Sequence, residues 1–175
     1  IPLRLVGSEM CIRDSVVRCF EDINITHVNE KIDPVADIEI IETELILSDL
    51  ETLENAKENL SKKIKSGDKY ISEKIEVISI LISELEKGIN ARSVNLNESK
   101  LDLIKEFNLI SLKPVIYVAN VDENQKDGAA LDAVRKKAQS DNSEMIIMCN
   151  QLEAEISELG DDKDEFLKEV GLEEP

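Results

Sequence analysis

A carboxamide and a carboxylate three residues apart, set just past a buried strand, have the chemistry to hold a purine base. Such a pair ends the segment Lys113-Pro114-Val115-Ile116-Tyr117-Val118-Ala119-Asn120-Val121-Asp122-Glu123. Five apolar residues after a proline read as a buried parallel strand, and Asn-x-x-Glu then falls at its carboxyl edge. Open α/β sheets bind their ligands at that edge. The Asn120 amide offers a donor and an acceptor, which complement adenine's ring acceptor and exocyclic amine. Glu123 adds a carboxylate acceptor on a long arm. The plainer reading of the same residues is a strand followed by an acidic turn.

P-loop GTPases place Asn-Lys-x-Asp at the equivalent point, and the Asp accepts two hydrogen bonds from guanine. Here Val121 stands at the Lys position and Glu123 is one methylene longer than Asp, so the acceptor pair is displaced and guanine selectivity should weaken. Longer blocks point the same way. They are Val16-Val17-Arg18-Cys19-Phe20-Glu21-Asp22, Ile25-Thr26-His27-Val28, the run from Asp33 to Thr52, Lys113 to Glu123, Leu152 to Leu159 and Glu165 to Glu174. Together they resemble the YchF family, the Obg-like ATPases, in order and spacing from Val16 to Pro175.

That resemblance implies a partial G-domain of the P-loop NTPase fold that prefers ATP to GTP, with Asn120 and Glu123 on the base and Val121 between them. Cys149-Asn150 sits where related GTPases place Ser-Ala, a loop whose backbone amide touches the base. Cys149 fits the family pattern, whereas Asn150 departs from the usual Ala. The resemblance further implies Mg²⁺ held largely by nucleotide phosphates and the phosphate loop, association with the ribosome and its large subunit, a role in translation or stress, and a cytoplasmic setting. No Gly-x-x-x-x-Gly-Lys-Ser/Thr occurs in these residues, so no such loop cradles phosphates. The chain is accordingly read as an internal fragment that lacks the family's phosphate loop and its TGS domain, and that should be inactive alone.

The first fifteen residues lie outside the resemblance. They are read as a non-native leader and set aside from fold reasoning. Thirty-eight acidic against 21 basic residues give a formal charge of −17, which argues against a general nucleic-acid surface and direct DNA binding. Lys62-Lys63-Ile64-Lys65 and Arg135-Lys136-Lys137 are the local basic runs, read as solvated helix ends. No apolar stretch of about 18 residues exists to span a membrane. Three scattered cysteines make no disulfide framework and suit a reducing compartment. Cys19 and Cys149 each end an apolar strand, as small buried hydrophobes, with redox regulation as the alternative that the family keeps open. His27, the only histidine, reads as a polar loop residue and has no partner set for a metal.

The elements that must position the site follow from periodicity. Val16 to Phe20 reads as a strand. Asp33-Pro34 starts a helix, Asp as cap and Pro at the first helical position. Ile46, Leu50, Leu53, Lys57, Leu60 and Ile64 step by four and three, as do Ile71, Ile75, Ile78, Ile82, Leu85 and Ile89, with Ser66-Gly67-Asp68 between the two runs. That pattern predicts an antiparallel helical hairpin of coiled-coil type. A short helix runs from Asn95 to Phe107, a strand over 115–119, a helix from Ala129 to Gln139, a strand over 145–149, a helix from Gln151 to Leu159 and a last one capped at Asp161-Asp162. Strand–helix–strand–helix order predicts a parallel sheet with right-handed crossovers. The predicted architecture is thus α/β, with residues 16–33 and 108–175 in the nucleotide-binding domain and 34–107 as a helical coiled-coil insertion. The competing reading is a non-enzymatic, acidic coiled-coil interaction module.

Overall fold

The computed structural model describes residues 12–20, 33–63, 68–122 and 128–158. Three strands and five α-helices follow in the order β1 (Arg13–Arg18), α1 (Pro34–Lys63), α2 (Lys69–Leu85), α3 (Glu98–Ile104), β2 (Val115–Asn120), α4 (Ala129–Ser140), β3 (Glu144–Met148) and α5 (Asn150–Glu158). The chain divides into two compact units, one built on Glu39–Pro114 and the other on Arg13–Ile38 with Val115–Pro175.

The second unit holds the sheet. All three strands are parallel, with β2 between β1 and β3. Their register aligns Arg18 with Asn120 and Asn120 with Met148, so the strands end together at one edge. Pleating sends alternate residues to opposite faces. On one face Val17, Cys19, Val115, Tyr117, Ala119 and Val121 are buried with Ile38 from the start of α1 and Leu131, Val134 and Ala138 from α4. On the other face Val16, Val118 and Ile146 share a row, yet Val16 is 61% and Ile146 47% exposed.

Two strand expectations shift. Arg13, Asp14 and Ser15, set aside above as leader, run in β1 opposite Val115, Ile116 and Tyr117. Parallel pairing is made by backbone, so polar side chains at the start of an outer strand do not prevent it. In turn β3 spans 144–148 rather than 145–149, and it is an outer strand in the described sheet: Ile147 is 44% exposed although the run is continuously apolar. An apolar run fixes neither strand order nor coverage of both faces.

α1 begins as the sequence predicts. Asp33 Oδ1 accepts from the Ala36 N–H at 3.1 Å, with Pro34 the first helical residue. Asp68 caps α2 through the Ile71 N–H, and Asn97 caps α3 through the Lys100 N–H. Gly88 (φ +79) closes α2: its N–H donates to Leu85 O, and the Ile89 N–H reaches back to Glu84 O. The core of the helical unit joins Ile46 and Leu53 of α1 to Val77, Ile78, Leu81, Ile82 and Leu85 of α2, with Ala91, Ile104 and Leu109.

The buried stripe of α2 is Lys74, Val77, Ile78, Leu81, Ile82 and Leu85. It includes Val77 and Leu81, which the two-per-heptad seam omits, whereas Ile71 and Ile75 are half-buried and Ile89 is exposed beyond the helix. The reason is that α2 faces more than one neighbour. It runs closest to α3 and shares its core with α1, so its apolar face is broader than a two-helix seam. Lys57 is half-buried on α1, and the turn expected at residues 66–67 lies outside the described residues.

Polar groups brace this core. Asp49, 2% exposed in the middle of α1, accepts from the Ile110 N–H at 2.9 Å and the Ser111 N–H at 2.7 Å. Ser111 Oγ accepts in turn from the Ala91 N–H. Arg92 pairs with the buried Glu42. Lys74, also buried, pairs with Glu106 at 2.8 Å and lies over the Phe107 and Tyr70 rings. None of these links is periodic in sequence, and the sequence reading missed them all.

Candidate functional site at the carboxyl edge of the sheet

At the edge where the strands end, backbone bonds continue for one more residue. The Cys19 N–H donates to Asn120 O at 2.8 Å, and the Val121 N–H donates to Met148 O at 2.9 Å. This stitching brings Cys19, Asn120, Val121, Cys149 and Asn150 to one edge, although 131 positions separate the first from the last (150 − 19).

Asn120 is half-buried at the end of the central strand. Its Oδ1 accepts the backbone N–H of Asn150, the first residue of α5, at 3.1 Å. The bond answers one of the helix's unpaired first-turn donors and fixes the side chain across the β2–β3 gap. Asn120 Nδ2 makes no hydrogen bond to a described residue. The side chain therefore keeps its donor group and one oxygen lone pair for a ligand, a narrower offer than the free donor–acceptor pair read from sequence.

Val121 is buried in the sheet core, so its side chain packs inward while its N–H closes the ladder to β3. Cys149 is half-buried against the same core and does not share Cys19's depth. Cys19 is 1% exposed, and burial pushes its thiol from an ordinary 9.0 up to about 11. The two cysteines flank Val121 on strands two apart. At about 4.8 Å per strand spacing that is roughly 10 Å, beyond the Cα reach of a disulfide. Glu123, like His27, lies outside the described residues.

One neighbour was missed. Arg18 ends β1 in register with Asn120, donates from Nε to Phe20 O at 3.0 Å, and stacks its guanidinium 4.9 Å from the Phe20 ring centre. Strand register alone makes it a neighbour, and register cannot be read from one strand's sequence.

Away from this edge, the Tyr117 hydroxyl donates to Asp141 Oδ2 at 2.6 Å, and Lys137 Nζ donates to the same carboxylate at 2.8 Å. This network ties the end of α4 to the sheet. A cleft of about 290 Å³ lies between α4 and β3, lined by Arg135, Ala138, Gln139, Ser143, Glu144, Met145 and Ile147; none of these belongs to the candidate site. Among the described residues no group of three or more His, Cys, Asp or Glu side chains could hold a metal ion. No described helix is long and apolar enough to cross a membrane.

The geometry can be set beside known proteins. No family model matches the chain. The ribosome-binding ATPase YchF of Haemophilus ducreyi is 43% identical over 162 residues, 91% of this chain and 45% of that protein. Its namesakes from Escherichia coli O157:H7 and Bacillus subtilis are 41% identical over 162 residues and 42% over 164, with the same coverage. Among solved structures, the YchF GTPase of Schizosaccharomyces pombe superposes with a TM-score of 0.77 at 26% identity, over 91% of this chain and 45% of that one. The chain thus spans about half the length of the relatives it matches, and across that span it belongs to the YchF family.

Proposed function

We propose that the chain carries the base-recognition half of a nucleotide-binding domain, joined to a helical arm, of a protein that binds and hydrolyses ATP in association with the ribosome. The observation that carries this reading is the Asn120 carboxamide. It sits at the carboxyl edge of a parallel sheet, is held by the Asn150 N–H, and keeps its Nδ2 donor free of hydrogen bonds to described residues. A donor so placed suits the N7 acceptor of a purine. Asn120 and Glu123 are proposed as the base contacts, with Val121 holding the loop to β3 and Cys149 lining it, ATP preferred to GTP.

Phosphoryl transfer in such proteins is mostly a matter of positioning phosphates and their Mg²⁺. No Gly-x-x-x-x-Gly-Lys-Ser/Thr phosphate loop occurs in the given residues. What this chain's own residues do is narrower: they bind and orient the base. The 175-residue chain therefore binds ATP in the millimolar range, roughly −4 kcal/mol, and does not turn it over. Calorimetry with ATP and GTP tests this, and submicromolar binding by the chain alone would contradict it.

The names of the relatives and the separate core of the helical unit favour a partner-facing role for that unit. Residues 34–107 are proposed as a coiled-coil insertion that meets the ribosome, in a cytoplasmic protein. Removing 66–90 from a full-length homologue should abolish co-sedimentation with ribosomes, and unchanged co-sedimentation would refute the role. A second reading, an acidic helical interaction module without nucleotide chemistry, draws on the same separate core. It requires that no nucleotide ever contacts Asn120.

A further inference from the structure

We infer that the outward face of α1, from Ile40 to Glu58, is a docking surface for a lysine- and arginine-rich helix of a protein partner. The inference rests on the ribosome-facing reading of the helical unit above, and it names what this face meets there: protein, not RNA.

Spacing defines the face. Ile40, Glu44, Leu47, Glu51, Glu54 and Glu58 step by four and three residues, so they line one side of the helix. At 1.5 Å per residue the row is about 27 Å long. Ile46 and Leu53, which bury α1 in the core of its unit, lie on the opposite side. All six residues of the row are exposed. Ile40, Leu47 and the adjacent Ile41 are each more than half open to solvent.

The charge on this face is uncompensated. Glu58 pairs with Lys62 one turn on, whereas Glu44, Glu51 and Glu54 make no ion pair with a described residue. The Thr43 hydroxyl beside the row is turned back onto Glu39 O of its own helix. What remains for a partner is aliphatic surface interleaved with negative charge, at the spacing of a coiled-coil seam. Such charge repels phosphate, so RNA does not fit. A second copy would set glutamates against glutamates. A helix with apolar residues for Ile40 and Leu47 and basic ones for the glutamates fits both features. Proteins that neutralise RNA phosphate carry such basic segments.

The test is co-sedimentation of the 175-residue chain with purified bacterial ribosomes. Glu44→Gln, Glu51→Gln and Glu54→Gln together should weaken association about fivefold or more, the loss of three exposed charge pairs. Leu47→Ser should weaken it to a similar degree. Glu73→Gln, Glu76→Gln and Asp102→Asn together remove the same charge from α2 and α3 and should leave association unchanged. Circular dichroism checks that each variant keeps its helix content. In a parallel arm, p-benzoylphenylalanine at Leu47 should crosslink to a lysine- and arginine-rich segment of a ribosomal protein. Tighter sedimentation of the α1 glutamine variant, or a crosslink to RNA or to no ribosomal component, would overturn the proposal. Equal binding by all variants, or equal weakening by the α2–α3 set, would also overturn it and leave the ribosome reading standing. If the unsubstituted chain does not co-sediment, that reading and the inference fall together.

Discussion

Replacing Asn120 by Asp and by Ala separates its two jobs. Its Oδ1 holds the Asn150 N–H at 3.1 Å, a half-buried neutral bond worth about 1 kcal/mol net. Alanine removes the acceptor and leaves the first turn of α5 with an unanswered donor, so N120A should lose about 1 kcal/mol. In a protein of this size that is about 2–4 °C in melting temperature. Aspartate keeps the acceptor and puts negative charge at the amino end of a helix, which is favourable by about 0.3–1 kcal/mol. N120D should therefore melt at or slightly above the unsubstituted chain. Binding should behave differently, since both variants lose the Nδ2 donor and Asp also opposes the purine N7 lone pair. AMP should weaken at least tenfold in each, about 1.4 kcal/mol or more. Urea melts followed by circular dichroism, with AMP titrations by NMR, measure the two effects. Equal destabilisation by Asp and Ala would show that the bond to Asn150 does not hold the edge. Unchanged AMP affinity in N120D would remove the amide from the site.

Two further predictions concern the rest of the molecule. Asp49→Ala strips two carboxylate bonds from the backbone at half-buried Ile110 and buried Ser111, so it should cost about 3–5 kcal/mol in urea melts, with Asp49→Asn intermediate because one of its two oxygens becomes a donor; a loss below about 1 kcal/mol would refute the brace. The Cys19 thiol, raised by burial to about 11, stays protonated in the folded chain while the unfolded chain ionises near 9.0. Stability is then unaffected by this group below pH 9 and falls between pH 9 and 11, by up to about 3 kcal/mol. Cys19→Ala should flatten that difference, and parallel pH profiles for the two chains would contradict it.

The parts legible in sequence were those governed by local chemistry. Asp33-Pro34 announced the start of α1, and the apolar run after Pro114 announced the central strand, with Asn120 at its mouth. What stayed hidden depends on partners far along the chain. Val77 and Leu81 are buried because α2 meets more than one neighbour. Arg18 sits beside Asn120 only through strand register. Asp49 reads as one more acid on an acidic helix until Ile110 and Ser111 return to it some sixty residues later. β3 is as apolar as β2, yet it lies at the rim of the described sheet with its isoleucines open to solvent. At the site itself, spacing suggested a free amide, whereas the fold commits the Asn120 oxygen to α5.

A purine resting on the Asn120 amide would be seen in intermolecular NOEs to bound AMP. Cross-peaks are expected between adenine H8, next to N7, and the Nδ2 protons of Asn120. Cross-peaks instead to Arg135 or Met145, in the cleft between α4 and β3, would contradict it, as would none to Asn120 at saturating AMP.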